Sequence, residues 1–171
     1  MPAKQAILFD WGDTVKRVFP DEEGPMASWR RVESTPGIVP VAAALRHSAS
    51  IALATNAADS TESQIWEALA RGGLDDLFDS VYCLRGVGHR KPSGEFFDAV
   101  LADLRVERSH AFMVGDDFAG DVEGANAAGL AAIWYAPQSA VKPVGPAYRT
   151  IHQFAELPAA LVDLGFQQRP A

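Results

Sequence analysis

The sequence predicts an α/β fold, a mainly parallel sheet of five or six strands with helices covering both faces. Two observations carry this. Short apolar runs recur along the chain, and each is followed by a segment of helical length with an amphipathic pattern. The runs are also near-continuously apolar rather than alternating, which is the pattern of strands buried on both faces.

Taken in order, the first run is Ala6-Ile7-Leu8-Phe9, which ends at Asp10. A helix is expected over Val41–Arg46, followed by the second run, Ile51-Ala52-Leu53-Ala54, which ends at Thr55-Asn56. Asp59-Ser60-Thr61-Glu62 then offers capping side chains for a helix with Ile65, Leu69 and Trp66 on its apolar face, closing at Gly72-Gly73. The third and weakest run is Val81-Tyr82-Cys83-Leu84. Ser93 opens a helix whose inward positions are Phe96, Phe97, Val100, Leu101 and Leu104. The fourth run, Ala111-Phe112-Met113-Val114, ends at Gly115-Asp116 and precedes a helix over Asp121–Ala128 that Gly129 terminates. The fifth run is Ala131–Tyr135, stopped by Pro137, and Ile151–Leu164 reads as a terminal packing helix. Residues 16–36 hold Pro20, Pro25 and Pro36 among many charges and read as a flap or loop.

The chain has 171 residues, the size of one ordinary domain, so residues 1–171 are expected to form a single unit. A chain of this length buries roughly 70% of its unfolded surface, enough to fold without disulfide or structural metal. Its single cysteine, Cys83, allows no internal disulfide and reads as core; this fits a reducing cytoplasm. The formal charge of −7 and the shortness of the basic runs argue against a nucleic-acid partner. No apolar stretch approaches the roughly 20 residues that span a bilayer, and the Met1–Gln5 start lacks signal-peptide architecture. A cytoplasmic protein without membrane partner is the expectation. His47, His89, His110 and His152 show no metal-ligand spacing.

In open α/β sheets, ligands bind beyond the carboxyl ends of the strands. Three of the predicted strands end there in polar or acidic residues: Asp10, Thr55-Asn56 and Asp116-Asp117. A strand-end carboxylate can attack phosphorus, and the amides of the Trp11-Gly12 turn can cradle phosphate oxygens. Thr55 would donate its hydroxyl to phosphate, Asn56 would support the loop, and Lys91 would neutralise nucleophile and phosphate. Asp116, Asp117 and Asp121 crowd one loop and helix start, and such a cluster calls for a cation or raised pKa values. Carboxylates, a carbonyl and phosphate oxygens suit Mg2+. Each motif alone has a plainer reading, as turn, cap or solvated surface; the ordered set is what points to a magnesium–phosphate site.

That set resembles the haloacid dehalogenase superfamily, most members of which are magnesium-dependent phosphatases. The matching residues are Asp10-Trp11-Gly12-Asp13-Thr14-Val15, Leu53-Ala54-Thr55-Asn56, Lys91-Pro92 and Val114-Gly115-Asp116-Asp117 with Asp121, followed by Gly124-Ala125 and Ala128-Gly129. The resemblance runs from about residue 6 to about residue 137. It implies a Rossmann-like three-layer sandwich, with Asp10 as nucleophile and Thr55 and Lys91 on phosphate. It further implies Asp116 as a direct Mg2+ ligand, Asp117 and Asp121 in support, and a ligating backbone carbonyl at Gly12.

The chain departs from that family at two places. Family phosphatases carry a second aspartate, the general acid–base, where this chain has Gly12; a carboxylate follows one place later as Asp13. The same substitution marks branches that cleave carbon–phosphorus or carbon–halogen bonds. Three functions therefore stand open: a phosphatase using Asp13 or the substrate as proton source, a carbon–phosphorus or carbon–halogen hydrolase, and a catalytically weak binding or regulatory protein. The gaps before Thr55 and Lys91 are also too short for the separate cap domain of many relatives. An uncapped site would be open unless a partner subunit covers it, admitting a small phosphorylated molecule or an exposed phosphate on a larger one. Lys16, Arg17, Trp29, Arg30 and Arg31 of the flap are then the candidates for choosing the substrate.

Overall fold

The computed structural model describes residues 3–169; Met1 and Pro2 of the N-terminal run lie outside them. Its centre is a six-stranded, wholly parallel sheet built from β1 (Ala6–Phe9), β2 (Ser50–Thr55), β3 (Ser80–Cys83), β4 (Ala111–Gly115), β5 (Ala131–Tyr135) and β6 (Tyr148–Ile151). The spatial order is β3-β2-β1-β4-β5-β6. β1 therefore lies between β2 and β4, and the order reverses beside it. That reversal opens a crevice at the carboxyl ends of β1 and β4.

The helices are α1 (Ile38–Leu45), α2 (Glu62–Arg71), α3 (Leu84–Val87), α4 (Gly94–Leu104), α5 (Gly124–Ala127) and α6 (Leu157–Asp163). The two-residue period of β1 divides them between layers. Ile7 and Phe9 point into a core shared with Ile38 and Leu45 of α1, Ile65 and Leu69 of α2, and Leu157 and Leu161 of α6. Ala6 and Leu8 point the other way, into a core with Phe96, Phe97, Val100 and Leu101 of α4 and Ala125 of α5. The result is an α/β three-layer sandwich of the Rossmann-like kind. No helix among the described residues is long and apolar enough to cross a membrane.

Local chemistry sets the element ends. Thr61 caps α2: its hydroxyl accepts the Gln64 N–H at 3.3 Å, and the Gln64 side chain accepts the Thr61 N–H at 2.8 Å. Ser93 caps α4 by accepting the Phe96 N–H. Several boundaries differ from the sequence expectation. The helix after β4 begins earlier, as a π-turn over Phe118–Glu123 that runs into α5. Ile151 ends a strand, so the terminal helix is confined to Leu157–Asp163. Leu84 leaves the third strand and starts α3. The flap, residues 16–36, holds one 3-10 turn at Met26–Ser28 and is tied down by bridges from Lys16 to Gly12 and to Ser34.

Gly124 permits the close approach of α5 to the segment that presents Lys91. A Cβ there would lie 2.6 Å from Pro92 Cβ and 2.9 Å from Pro92 Cα. Gly124→Ala is expected to cost about 1–3 kcal/mol through overpacking, read by urea denaturation, and to shift Lys91; an unchanged midpoint would show that the contact is slack.

Candidate active site

β1 delivers the nucleophile candidate. Its ladder continues one residue beyond Phe9, because the Asp10 N–H donates to Val114 O at 2.9 Å. Asp10 is thereby aimed into the crevice between β1 and β4, with its side chain 16% exposed. The chain then turns tightly: the Val15 and Lys16 N–H groups both donate to Trp11 O, and the Asp13 N–H donates to Lys16 O at 2.7 Å. Asp13 takes a left-handed φ of 53° to close this turn, uncommon for a residue with a Cβ but tolerated best by Asp and Asn. Its Oδ1 accepts the Val18 N–H at 2.9 Å.

Val18 also bears on the departure at Gly12. A Cβ at position 12 would meet Val18 Cγ2 at 3.0 Å. A side chain at position 12 would therefore press on the exposed tip of Val18, which would have to give by a few tenths of an ångström.

β4 supplies the acidic partners, and two glycines make room for them. A Cβ on Gly115 would collide with the Asp121 carboxylate, and one on Gly120 with that of Asp117. Asp121 is buried, and its Oδ2 accepts the Asp117 N–H at 3.1 Å. The carboxylates of Asp10, Asp116 and Asp121 each offer an oxygen within 4.8 Å of the others, an arrangement able to hold a metal ion. Asp117 is outside this group; its carboxylate lies over Gly120 instead.

The buried ammonium of Lys91 binds the cluster together, 2.7 Å from Asp10 Oδ1 and 2.5 Å from Asp121 Oδ1. Asn56 holds Lys91 in place through a reciprocal pair, donating to Lys91 O at 2.9 Å and accepting the Lys91 N–H at 2.8 Å. Thr55 is buried beside it; its hydroxyl accepts the Ala57 N–H at 3.1 Å, leaving its own proton free to donate.

Burial would lower the Lys91 pKa, but the two carboxylates it touches hold it above the ordinary lysine value. Burial, reinforced by the charge of Asp10, raises Asp116 from the usual 3.8 to about 6. Asp121 rises to about 7, again through burial first, with Lys91 opposing and Asp10 adding to the shift. A cation bound among these carboxylates would favour their ionised forms.

A sequence profile of the haloacid dehalogenase-like hydrolases matches residues 12–129. The chain belongs to this family. It is 42% identical over 69 residues to a ribulose-1,5-bisphosphate 5-phosphatase of Halopiger xanaduensis, a match covering 40% of this chain and 29% of that protein. It is 33% identical over 70 residues to a glyceraldehyde 3-phosphate phosphatase of Pyrococcus abyssi, covering 41% and 29% respectively. The chain thus spans under a third of the length of these phosphatases. Among solved structures, an uncharacterized protein of Listeria monocytogenes serotype 4b superposes with a TM-score of 0.81 at 25% identity, covering 94% of this chain and 98% of that one. A 2-haloacid dehalogenase of Pseudomonas syringae shares the fold, with a TM-score of 0.75 at 20% identity over 94% of this chain and 99% of that one.

Two further side chains, one of them within the first motif, hold Asp116 in place. The Thr14 hydroxyl donates to Asp116 Oδ1 at 3.1 Å, and the Trp134 indole N–H donates to Asp116 O at 2.9 Å. Thr14 belongs to the first motif, and its place after Asp13 was the available signal; Trp134 reads only as a strand residue. The flap candidates separate. Lys16 is fully buried, with its ammonium 3.7 Å from the centroid of the Trp29 ring, so it faces no substrate. Arg30 and Arg31 point toward Asp21 and Glu22. Only Arg17 of the group lines the cavity beside Asp13 and Asp116.

The raised carboxylates have a consequence for stability. Because Asp116 and Asp121 titrate higher when folded, the folded chain binds more protons than the unfolded one between their ordinary and shifted pKa values. Their contribution therefore becomes less favourable as pH rises from about 4 to about 7, and a cation that binds the ionised forms offsets this. Mg2+ is expected to raise Tm more at about pH 7.5 than at about pH 5.5, since protons compete with it at the lower value. Scanning fluorimetry at both pH values reads this, and an equal shift at both would contradict it.

Proposed function

We propose that this chain is a Mg2+-dependent phosphatase that hydrolyses monoesters of small molecules through an aspartyl-phosphate on Asp10. The observation that carries the reading is the Lys91 ammonium shared between Asp10 and Asp121 in the β1–β4 crevice, with Asp116 completing the carboxylate group. The Mg2+ ion fits this donor set: Asp10 and Asp116 would hold it with the Gly12 carbonyl, while Asp121 and Asp117 steady Lys91 and the loop. When bound, it supplies positive charge against the phosphate oxygens. The named activities of the phosphatase relatives, on ribulose bisphosphate and glyceraldehyde phosphate, support a small phosphorylated substrate.

In this reading the Asp10 carboxylate attacks phosphorus and the ester oxygen departs. Lys91, the Thr55 hydroxyl and the amides of the Trp11-Gly12 turn bind the phosphoryl oxygens, where charge builds in the transition state. Asp13 gives the departing oxygen its proton, then takes one from the water that attacks the aspartyl-phosphate. Inorganic phosphate leaves and Asp10 is regenerated. Two observations favour Asp13 in this role despite its displaced position. It lines the same cavity as Asp116, and only one of its oxygens is engaged by the Val18 N–H. We read the chain as one hydrolase domain without a cap, since only the flap and α1 lie between β1 and β2 and only α2 and a 3-10 turn between β2 and β3.

Asp10→Asn is expected to abolish Mg2+-dependent phosphate release from an aryl phosphate; retained turnover would remove the nucleophile assignment. Asp13→Asn tests the proton role. Loss of general acid–base help is worth about 10²–10⁴-fold, and it should be large for an alkyl phosphate and small for a p-nitrophenyl ester, whose phenolate needs no proton. An equal loss on both would assign Asp13 to the turn alone. A Cβ at residue 12 would press on Val18 Cγ2 at 3.0 Å, so adding Val18→Ala to Gly12→Asp is expected to raise its activity in the same phosphate-release assay.

A further inference from the structure

A cavity of about 920 Å³ opens from the carboxylate site along the end of β5. It lies within the usual range for small-molecule sites, about 300–1,000 Å³, and exceeds what the phosphate alone requires. Asp13 and Asp116 lie at its reacting end, and Trp134 and Tyr135 contribute aromatic wall. Arg17 is the one cationic side chain among its lining residues.

Arg17 is the feature of that wall that points to a ligand. The Thr35 side chain lines the cavity and is only 6% exposed, yet its hydroxyl has no hydrogen-bond partner in the protein. The hydroxyl oxygen itself is sealed from solvent, so Thr35 serves as wall. Arg17 is presented by the same paired segment: its N–H donates to Glu33 O, and the Thr35 N–H donates to Val15 O. Its guanidinium lies 5.4 Å from the Phe19 ring centroid and donates from Nη1 to Glu33 at 3.0 Å. That single contact leaves other N–H donors free, and the side chain is 55% exposed.

We propose that this cavity is a leaving-group subsite selecting phosphate monoesters that carry a second anionic group, a phosphate or a carboxylate, bound by Arg17. The proposal rests on the phosphatase reading for the reacting end. In a chain of net charge −7, a second anion beside the carboxylates would be repelled without a local cation. Arg17 meets that need, and its fork matches phosphate or carboxylate in a bidentate manner. Glu33 occupies the guanidinium when no substrate is bound and competes with the incoming anion.

The test compares kcat/KM for a sugar bisphosphate, a phosphorylated sugar acid, the matching sugar monophosphate and an aryl phosphate, with Mg2+ present. The doubly anionic compounds are expected to be preferred at least tenfold over the monophosphate, and their ranking tells phosphate from carboxylate as the second anion. Arg17→Met should lower that preference at least tenfold, mainly through KM, whereas Arg30→Met, an equal loss of charge off the cavity, should leave it unchanged. Glu33→Gln should raise the preference, an effect that a merely structural Arg17–Glu33 pair would not produce. No preference in the unaltered protein, or a preference unmoved by Arg17→Met and Glu33→Gln, overturns the subsite. Calorimetric binding of the same compounds separates this from failure of the phosphatase reading. Arg17-dependent binding of double anions without phosphate release would sink the hydrolysis alone, and equal binding of mono- and bisphosphate would sink the subsite.

Discussion

The site depends on one buried ammonium. Lys91 touches Asp10 beyond β1 and Asp121 beyond β4, and Asn56 beyond β2 grips its backbone from both sides. Three strand ends are thereby fixed to a residue that belongs to none of them. Removing one member of such a buried pair leaves an uncompensated charge, which typically costs about 3–5 kcal/mol. With Asp116 the cluster holds two more carboxylates than the single charge of Lys91 can neutralise, and burial first, with the Asp10 charge adding to it, raises the pKa of Asp116 and Asp121. A cation bound there would offset that excess.

The turn after Asp10 is under a second constraint. A Cβ on Gly12 would press on Val18 Cγ2, and the Val18 N–H donates to Asp13. Asp13 can accept that bond only by adopting the left-handed conformation that closes the turn. Residues 12, 13 and 18 therefore form one arrangement, in which a carboxylate displaced by one position along the chain is brought back to the cavity by backbone geometry.

Much of this was legible in the sequence, and the rest was hidden for identifiable reasons. Five strands announced themselves because buried parallel strands are continuously apolar, and the polar residues closing three of them marked the crevice. β6 escaped because its middle is Arg149-Thr150, the half-exposed composition of an edge strand. The π-turn after β4 escaped because it follows from packing rather than from period: Asp121 must tuck under Gly115, which local pattern does not encode. Asp117 reads in sequence as a member of an acidic run, and only the backbone path turns its carboxylate toward Gly120 and away from the others. Asn56 was legible as a loop support, but its two bonds to Lys91 link residues 35 apart in the chain.

Lys16 was the least legible residue, because charge in sequence suggests exposure. It is buried against the Trp11 and Trp29 rings, with its ammonium 5.6 Å and 3.7 Å from their centroids and without a hydrogen-bond partner, and burial lowers its pKa to about 8. Cation–π attraction of about 2 kcal/mol in a desolvated setting offsets part of what burying the charge costs. The arrangement is linked to α2 as well, since Arg71 donates to Trp29 O at 2.6 Å, while the Trp29 indole donates to Gly24 O. The Lys16 backbone in turn accepts the Asp13 N–H and donates to Trp11 O. A packed path thus runs from helix α2 through the tryptophan box to the turn that carries Asp13. Its effect is to fix the register of the flap, so that Lys16 faces inward while its neighbour Arg17 emerges into the cavity.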